Sequence, residues 1–181
     1  IRLVVYPLLL LFTRDAERRK SAAQAVIHHS FRFFVGLMNF VGVISYEVHH
    51  LERLDRKGLL ILANHPSLID VVFLISLIPR ADCIVKASLL RNPFTRGPIH
   101  AAGFICNSGG AQLVEDCNRS LAEGNNLIIF PEGTRTPLVG EVKLQRGAAH
   151  VAVKGRVNIT PVHIHTSLPM LPKGRPWWKV P

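Results

Sequence analysis

Cysteine is scarce in this chain: Cys83, Cys106 and Cys117 are the only three in 181 residues, far apart and without a C-x-x-C pair. That count excludes a disulfide framework and fits reduced, buried thiols on a cytosolic side. Aromatic residues with a polar handle are also few. The two tyrosines and two tryptophans are not interleaved with basic residues, no nucleic-acid-binding motif is present, and nucleic acid is therefore excluded as a partner. Acidic residues are outnumbered, 12 against 22 basic ones, for a net charge of +10. Such an excess suits an anionic membrane surface or a phosphorylated ligand. The chain has no internal repeat, no low-complexity tract and no G-x-S-x-G elbow, and its cysteines have no evident base nearby in sequence, so covalent catalysis by a serine or cysteine nucleophile is not indicated.

What is abundant is apolar: 48% of the residues are hydrophobic, in a chain long enough to bury one core without disulfides or metals. The N-terminal region, residues 1–46, differs from the rest. "IRLVVYPLLLLF" is apolar, "RDAERRK" is charged, and "AVIHHSFRFFVGLMNFVGVIS" is apolar again but interrupted by His28, His29 and Arg32. Neither apolar piece is a clean span of about twenty residues. The expectation is a membrane-associated pair of helices dipping into one leaflet with a basic hinge at headgroup level; the alternative is that they pack on the domain as core. Trp and Lys in "LPKGRPWWK" fit an interfacial anchor or an ordinary tail equally well.

Residues 47–181 read as one α/β domain with a mostly parallel sheet flanked by helices. "GLLILAN", "DCIVK", "AGFIC", "NLIIF" and a stretch near "VNITPVHIH" predict strands. Between them the sequence predicts a helix from Ser67 to Ile78 stopped by Pro79, and a short irregular or helical link at "SLLRNPFT". A helix over "AQLVEDCNRSLAEG" would be ended by Gly124, and one from Gly147 to Lys154 closed by Gly155. Ligands of such sheets bind at the carboxyl ends of the strands.

Two stretches follow strands there. In "LILANHPSLID", Pro66 biases His65 toward an extended conformation and is itself suited to open a helix. Asp70 then lies about one turn inside an apolar helix, where a buried carboxylate demands a partner. Two residues five apart on one helix would be about 140° apart. His65 can reach Asp70 only by standing outside the helix and folding back over its first turn. An acid on one ring nitrogen fixes the tautomer and leaves the other nitrogen as a base. The plainer reading is that Asp70 or Ser67 caps the helix and His65 is a loop residue.

The second stretch, "LIIFPEGTRT", runs from a strand into Pro131, Glu132, Gly133, Thr134 and Arg135. Its glycine admits backbone N–H groups to a ligand, and its arginine suits bidentate binding of phosphate. Taken together and in this order, the NH-x4-D and FPEGTR blocks resemble those of the glycerolipid acyltransferase superfamily, the relatives of 1-acylglycerol-3-phosphate acyltransferase. The resemblance covers about Glu47 to His165. Within it, Lys86 in "IVKASLLRNPFTRGPIHAAGFI" matches a lysine that helps bind acceptor phosphate, and Pro161 in "ITPVHIH" matches a proline-containing fourth block. The second block departs from the family pattern, with Ser108, Gly109 or Gly110 where an arginine is expected, which puts a glycerol phosphate acceptor in doubt.

The resemblance implies a membrane-bound enzyme that moves a fatty acyl group from acyl-CoA or acyl-carrier protein to a lysophospholipid hydroxyl, at the cytoplasmic membrane with its site on the cytoplasmic side. His65 would be the general base and Asp70 its orienting acid. Lys86, Glu132, Gly133, Thr134 and Arg135 would form the substrate-binding group, with Asn64 and Pro161 close by. No cofactor is expected beyond the acyl-CoA or acyl-carrier protein co-substrate, and no metal: His163 and His165 share a strand face but lack a third ligand in view. The His28/His29 and His49/His50 pairs read as surface or interface residues. Other acceptors, such as a lyso-ornithine lipid or a hydroxylated polyene, stay open. So do a thioesterase, in which His65 would activate water, and a non-catalytic lipid-binding protein.

Overall fold

The computed structural model describes residues 15–107, 109–137 and 141–167. Strands β1 (Leu60–Ala63), β2 (Ala81–Val85), β3 (Ile105–Cys106), β4 (Asn126–Ile129) and β5 (Ile159–Val162) form one sheet in the order β3-β2-β4-β1-β5. Every pairing is parallel. Parallel strands covered on both faces must be apolar throughout rather than alternating, and β4, buried at every position, is the clearest case. β5 is one of the two edge strands and tolerates Pro161, whose missing N–H would break an interior ladder.

Strand residues of opposite parity feed two cores. Ile61, Ala63, Cys83, Val85 and Ile128 pack with Ile27 of α1 (Ala16–Phe40), Leu74 and Ile75 of α2 (Asp70–Leu77), and Ile99 and Ala102 of α4 (Pro93–Ala102). Leu60, Ile105, Leu127 and Ile129 pack on the other face with Cys117 and Leu121 of α5 (Gly110–Ala122) and Ala148 and Val151 of α6 (Gly147–Gly155). The short α3 (Ala87–Arg91) links β2 to α4. Each fully buried Ile or Leu contributes roughly 1.5–3 kcal/mol through removal from water. The result is the α/β sheet flanked by helices that the alternation of runs predicts.

Several local expectations shift. "RDAERRK" is not a hinge: Asp15 accepts a hydrogen bond from the Glu17 N–H and starts α1 at Ala16, so most of the charged run is helical. One face of α1 is docked on the domain. Lys20 and Gln24 donate to Asp82 of β2, at 3.1 and 2.6 Å, and His28 Nδ1 bonds the Ile75 carbonyl of α2 at 2.7 Å. The other face leaves Phe33 72% and Phe40 88% exposed. No helix among the described residues is long and apolar enough to cross a membrane. "IRLVVYPLLLLF" and "LPKGRPWWK" lie outside the described residues.

The helix expected from Ser67 begins instead at Asp70, because Ser67 to Ile69 form a turn whose N–H at Ser67 is taken by the Asp70 side chain. "AGFIC" shortens to two strand residues, since residues up to Ala102 are drawn into α4. α6 is closed not by Gly155 but by Arg156, left-handed at φ 50°. Gly155 instead makes room for α5: a Cβ there would meet the Asn118 side chain, which would have to shift.

Candidate active site

The strand order brings the two motifs closer than a shared edge requires, since β1 and β4 are neighbours. Leu62 pairs with Ile129, and the same offset of 67 residues continues past both strand ends to set His65 level with Glu132.

His65 is fixed at ring and backbone. Its Nδ1 lies 2.9 Å from Asp70 Oδ2, so with Asp70 ionised Nδ1–H is the donor and Nε2 carries the free lone pair. Its ring stacks on Phe130, centroids 4.3 Å apart and planes 29° from parallel. Asp70 is only 2% exposed and offsets its desolvation with two further bonds, from Ser67 N–H at 2.7 Å and Ser67 Oγ at 2.5 Å. This is half of a capping box, in which the acid of S-x-x-D reaches back to the serine N–H while the hydroxyl donates to the acid. The contact with His65 and the bonds to Ser67 are thus not exclusive, since one carboxylate makes both sets.

The turn after β4 closes around the same histidine. His65 N–H lies 3.0 Å from Glu132 Oε1 and 3.3 Å from Thr136 Oγ1; Thr136 N–H donates to the His65 carbonyl at 2.7 Å, and its hydroxyl to Glu132 Oε1 at 2.8 Å. Gly133 turns the chain with φ 65° and donates its N–H to the Phe130 carbonyl at 2.9 Å, a conformation that favours glycine. Gln145 N–H donates to the Pro131 carbonyl at 2.6 Å, so the chain returning toward α6 braces the turn from outside. Thr134 and Arg135 are half-buried on it.

The remaining expected residues take supporting places. Asn64 bonds the backbone of Ile164 through both ends of its amide, at 2.8 and 2.7 Å. Lys86 is exposed at the carboxyl end of β2, which neighbours β4, and precedes α3. Pro161 pairs with Leu62 on the outer side of β1. Ser108 lies outside the described residues, while Gly109 and Gly110 have left-handed φ of 75° and 70° and open space where a Cβ would be. His163, His165, His29, His49 and His50 are exposed, whereas His28 is half-buried between α1 and α2. No group of three or more possible metal ligands occurs among the described residues. Burial, with help from Asp82, pushes the Cys83 thiol up to about 12; burial and the Asp116 and Asp82 charges raise Cys117 to about 11. Neither thiol is a nucleophile at neutral pH.

Sequence reasoning gave no role to Phe130 or Thr136 and only a capping role to Ser67. The S-x-x-D spacing was the available signal for Ser67. For the other two no local pattern marks the contact, because their partner lies in a different strand's loop.

A parallel α/β sheet whose carboxyl edge carries a histidine–carboxylate pair beside an arginine-bearing turn is the class that fold and site define. The profile of the family described as Acyltransferase matches residues 45–165, and the chain belongs to that family, within the glycerolipid acyltransferase superfamily. It is 30% identical over 162 residues to a 1-acyl-sn-glycerol-3-phosphate acyltransferase of Pseudomonas aeruginosa, covering 86% of this chain and 62% of that one. The corresponding yeast protein, from Saccharomyces cerevisiae, is 29% identical over 78% of this chain and 50% of its own. Among solved structures, the 1-acyl-sn-glycerophosphate (LPA) acyltransferase PlsC of Thermotoga maritima superposes with a TM-score of 0.73 at 25% identity, over 93% of this chain and 70% of that one. The chain spans about half to three-fifths of the length of these curated relatives.

Proposed function

We propose that the protein transfers a fatty acyl group from acyl-CoA or acyl-carrier protein to the hydroxyl of a lysophospholipid such as 1-acylglycerol-3-phosphate. The observation that carries this reading is the 2.9 Å contact between His65 Nδ1 and Asp70 Oδ2, set level with the arginine-bearing turn. His65 Nε2 takes the proton of the acceptor hydroxyl as its oxygen forms a bond to the thioester carbonyl carbon. The C–S bond then breaks, the proton passes to the leaving thiolate, and an ester and a free thiol result. Asp70 holds the tautomer and stabilises the imidazolium. Arg135, with Lys86, binds the acceptor's phosphate.

A second reading of the acceptor rests on Gly109 and Gly110. Their open space offers no cation to a phosphate there and leaves room for a different headgroup, such as that of a lyso-ornithine lipid.

The exposed apolar cluster of Phe33, Phe34, Leu37, Phe40, Val41 and Val43, together with the +10 charge, supports seating on an anionic membrane on the cytoplasmic side.

Labelled acyl thioester offered with a panel of lyso-lipids tests the function. His65→Ala is expected to lose about 10²- to 10⁴-fold in turnover while staying folded. Arg135→Ala is expected to raise acceptor KM far more than donor KM. Undiminished turnover by the histidine variant rejects the reading, and release of free fatty acid whatever the acceptor points to a thioesterase.

A further inference from the structure

Three hydrogen bonds hold the backbone of His65, a fourth ties together the two side chains that take part, and none of them involves the ring. Glu132 Oε1 accepts from the His65 N–H at 3.0 Å and from the Thr136 hydroxyl at 2.8 Å. Thr136 Oγ1 lies 3.3 Å from the same His65 N–H, and Thr136 N–H donates to the His65 carbonyl at 2.7 Å. Glu132 is 7% exposed, and its second oxygen, Oε2, is buried with no hydrogen-bond partner among the described residues. The carboxylate is held through Oε1 by its two donors. Losing either donor leaves a buried acceptor undersatisfied.

We infer that Thr136, acting with Glu132, is a positioning residue that locks the His65 peptide and so sets where the imidazole stands at the sheet edge. The inference rests on the reading of His65 as general base. Its physical content is a rigid weld. Glu132 and Thr136 flank Arg135, so the backbone bonds that hold the base come from the turn that carries the guanidinium. The separation between proton acceptor and anion site is thereby fixed by one short turn rather than by two independent loops. Such a device acts on the chemical step: a misplacement of about 1 Å at the reacting atoms can cost on the order of 10²-fold. Its expected effect is on turnover rather than on acceptor binding, because the bonds of Thr136, and those of Glu132, which the resemblance places in the substrate-binding group, are made to the His65 backbone and to each other.

The test compares Thr136→Val, Thr136→Ser and Glu132→Gln in the full-length protein, with kcat and acceptor KM measured separately. Thr136→Val is expected to lower kcat about 10- to 100-fold with acceptor KM within about twofold. Thr136→Ser, which keeps both the N–H and a hydroxyl, is expected to recover most of the loss. Glu132→Gln keeps an acceptor for the His65 N–H and is expected to fall only a few-fold in kcat. Hydrogen exchange at the His65 amide is expected to quicken in Thr136→Val, and this is readable without turnover. A rise in acceptor KM at unchanged kcat, in Thr136→Val or Glu132→Gln, overturns the inference by placing the side chain in the substrate site. Unchanged kcat and unchanged amide exchange overturn it too. Should Thr136→Val not fold, Thr136→Ala, which also removes the hydroxyl, takes its place and is judged by the same split and the same amide exchange against Thr136→Ser. His65→Ala in the same assay separates the two readings: if it turns over normally, the general-base reading falls, whereas if it is inactive while Thr136→Val is normal, only the weld falls.

Discussion

Asn64 and Ile164 form a closed two-bond ring, the asparagine amide donating to the Ile164 carbonyl at 2.8 Å and accepting from its N–H at 2.7 Å. A side chain thus imitates a strand backbone and continues the β1–β5 ladder beyond Ala63 and Val162, where the main-chain pairing stops. Asparagine can do this because it presents a donor and an acceptor side by side. Asn64→Ala is expected to cost about 1–3 kcal/mol, two net hydrogen bonds with one backbone pair left to find water. Urea unfolding measures this directly. A loss within a few tenths would show the ring to be dispensable.

Asp82 gives the protein a pH-dependent stability of definite sign. It is completely buried, and burial raises its pKa, opposed by the Ser120 hydroxyl, Lys20 and Gln24; Glu123 lies 3.7 Å from Lys20 and shares that charge. An acid whose native pKa is raised binds its proton more tightly folded than unfolded. Its contribution is therefore full below the ordinary carboxylate pKa and declines as pH rises through the raised value. Wild type is expected to lose stability relative to Asp82→Asn on going from acidic to neutral pH, read from urea midpoints at a series of pH values. A gap moving the other way would show that Lys20, not desolvation, governs the site.

The three thiols are expected to differ in reactivity. Cys117 is 0% exposed and Cys83 nearly so, with both thiols held well above the ordinary range by burial, while Cys106 at the end of β3 is half-buried. An aromatic disulfide reagent at neutral pH should therefore modify one cysteine per native chain, Cys106, and the other two only on unfolding. Rapid labelling of two or more in the native state would contradict the packing of the helices on one or other face of the sheet.

The outer face of α1 is expected to bind bilayers. Phe33→Ser with Phe40→Ser should weaken flotation with vesicles containing anionic phospholipid by about tenfold or more, because two largely exposed aromatic rings lose their apolar burial, while the unfolding midpoint stays unchanged. Equal flotation of variant and wild type would place the membrane contact elsewhere.

Much of the site was legible locally. Pro66 set His65 outside the helix, an apolar surrounding required a partner for Asp70, and Gly133 announced a turn before Arg135; each inference needs only a few neighbouring residues and the physics of φ angles and buried charge. Less legible were element ends governed by side-chain competition. Asp70 claims the Ser67 N–H and delays α2, and Asp15 claims that of Glu17 and advances α1.

The sequence alone therefore determined the parallel α/β class and the family to which the chain belongs, and it made His65 and Asp70 candidates for a pair. Only the tertiary structure decided that β4 lies between β1 and β2, that Thr136 and Glu132 grip the His65 peptide, and that Lys20, Gln24 and His28 fasten α1 to the sheet and to α2. The reason is one of range. Propensity and capping act within a turn or two, whereas strand order and cross-loop hydrogen bonds depend on how two cores are filled at once, by residues as much as a hundred positions apart.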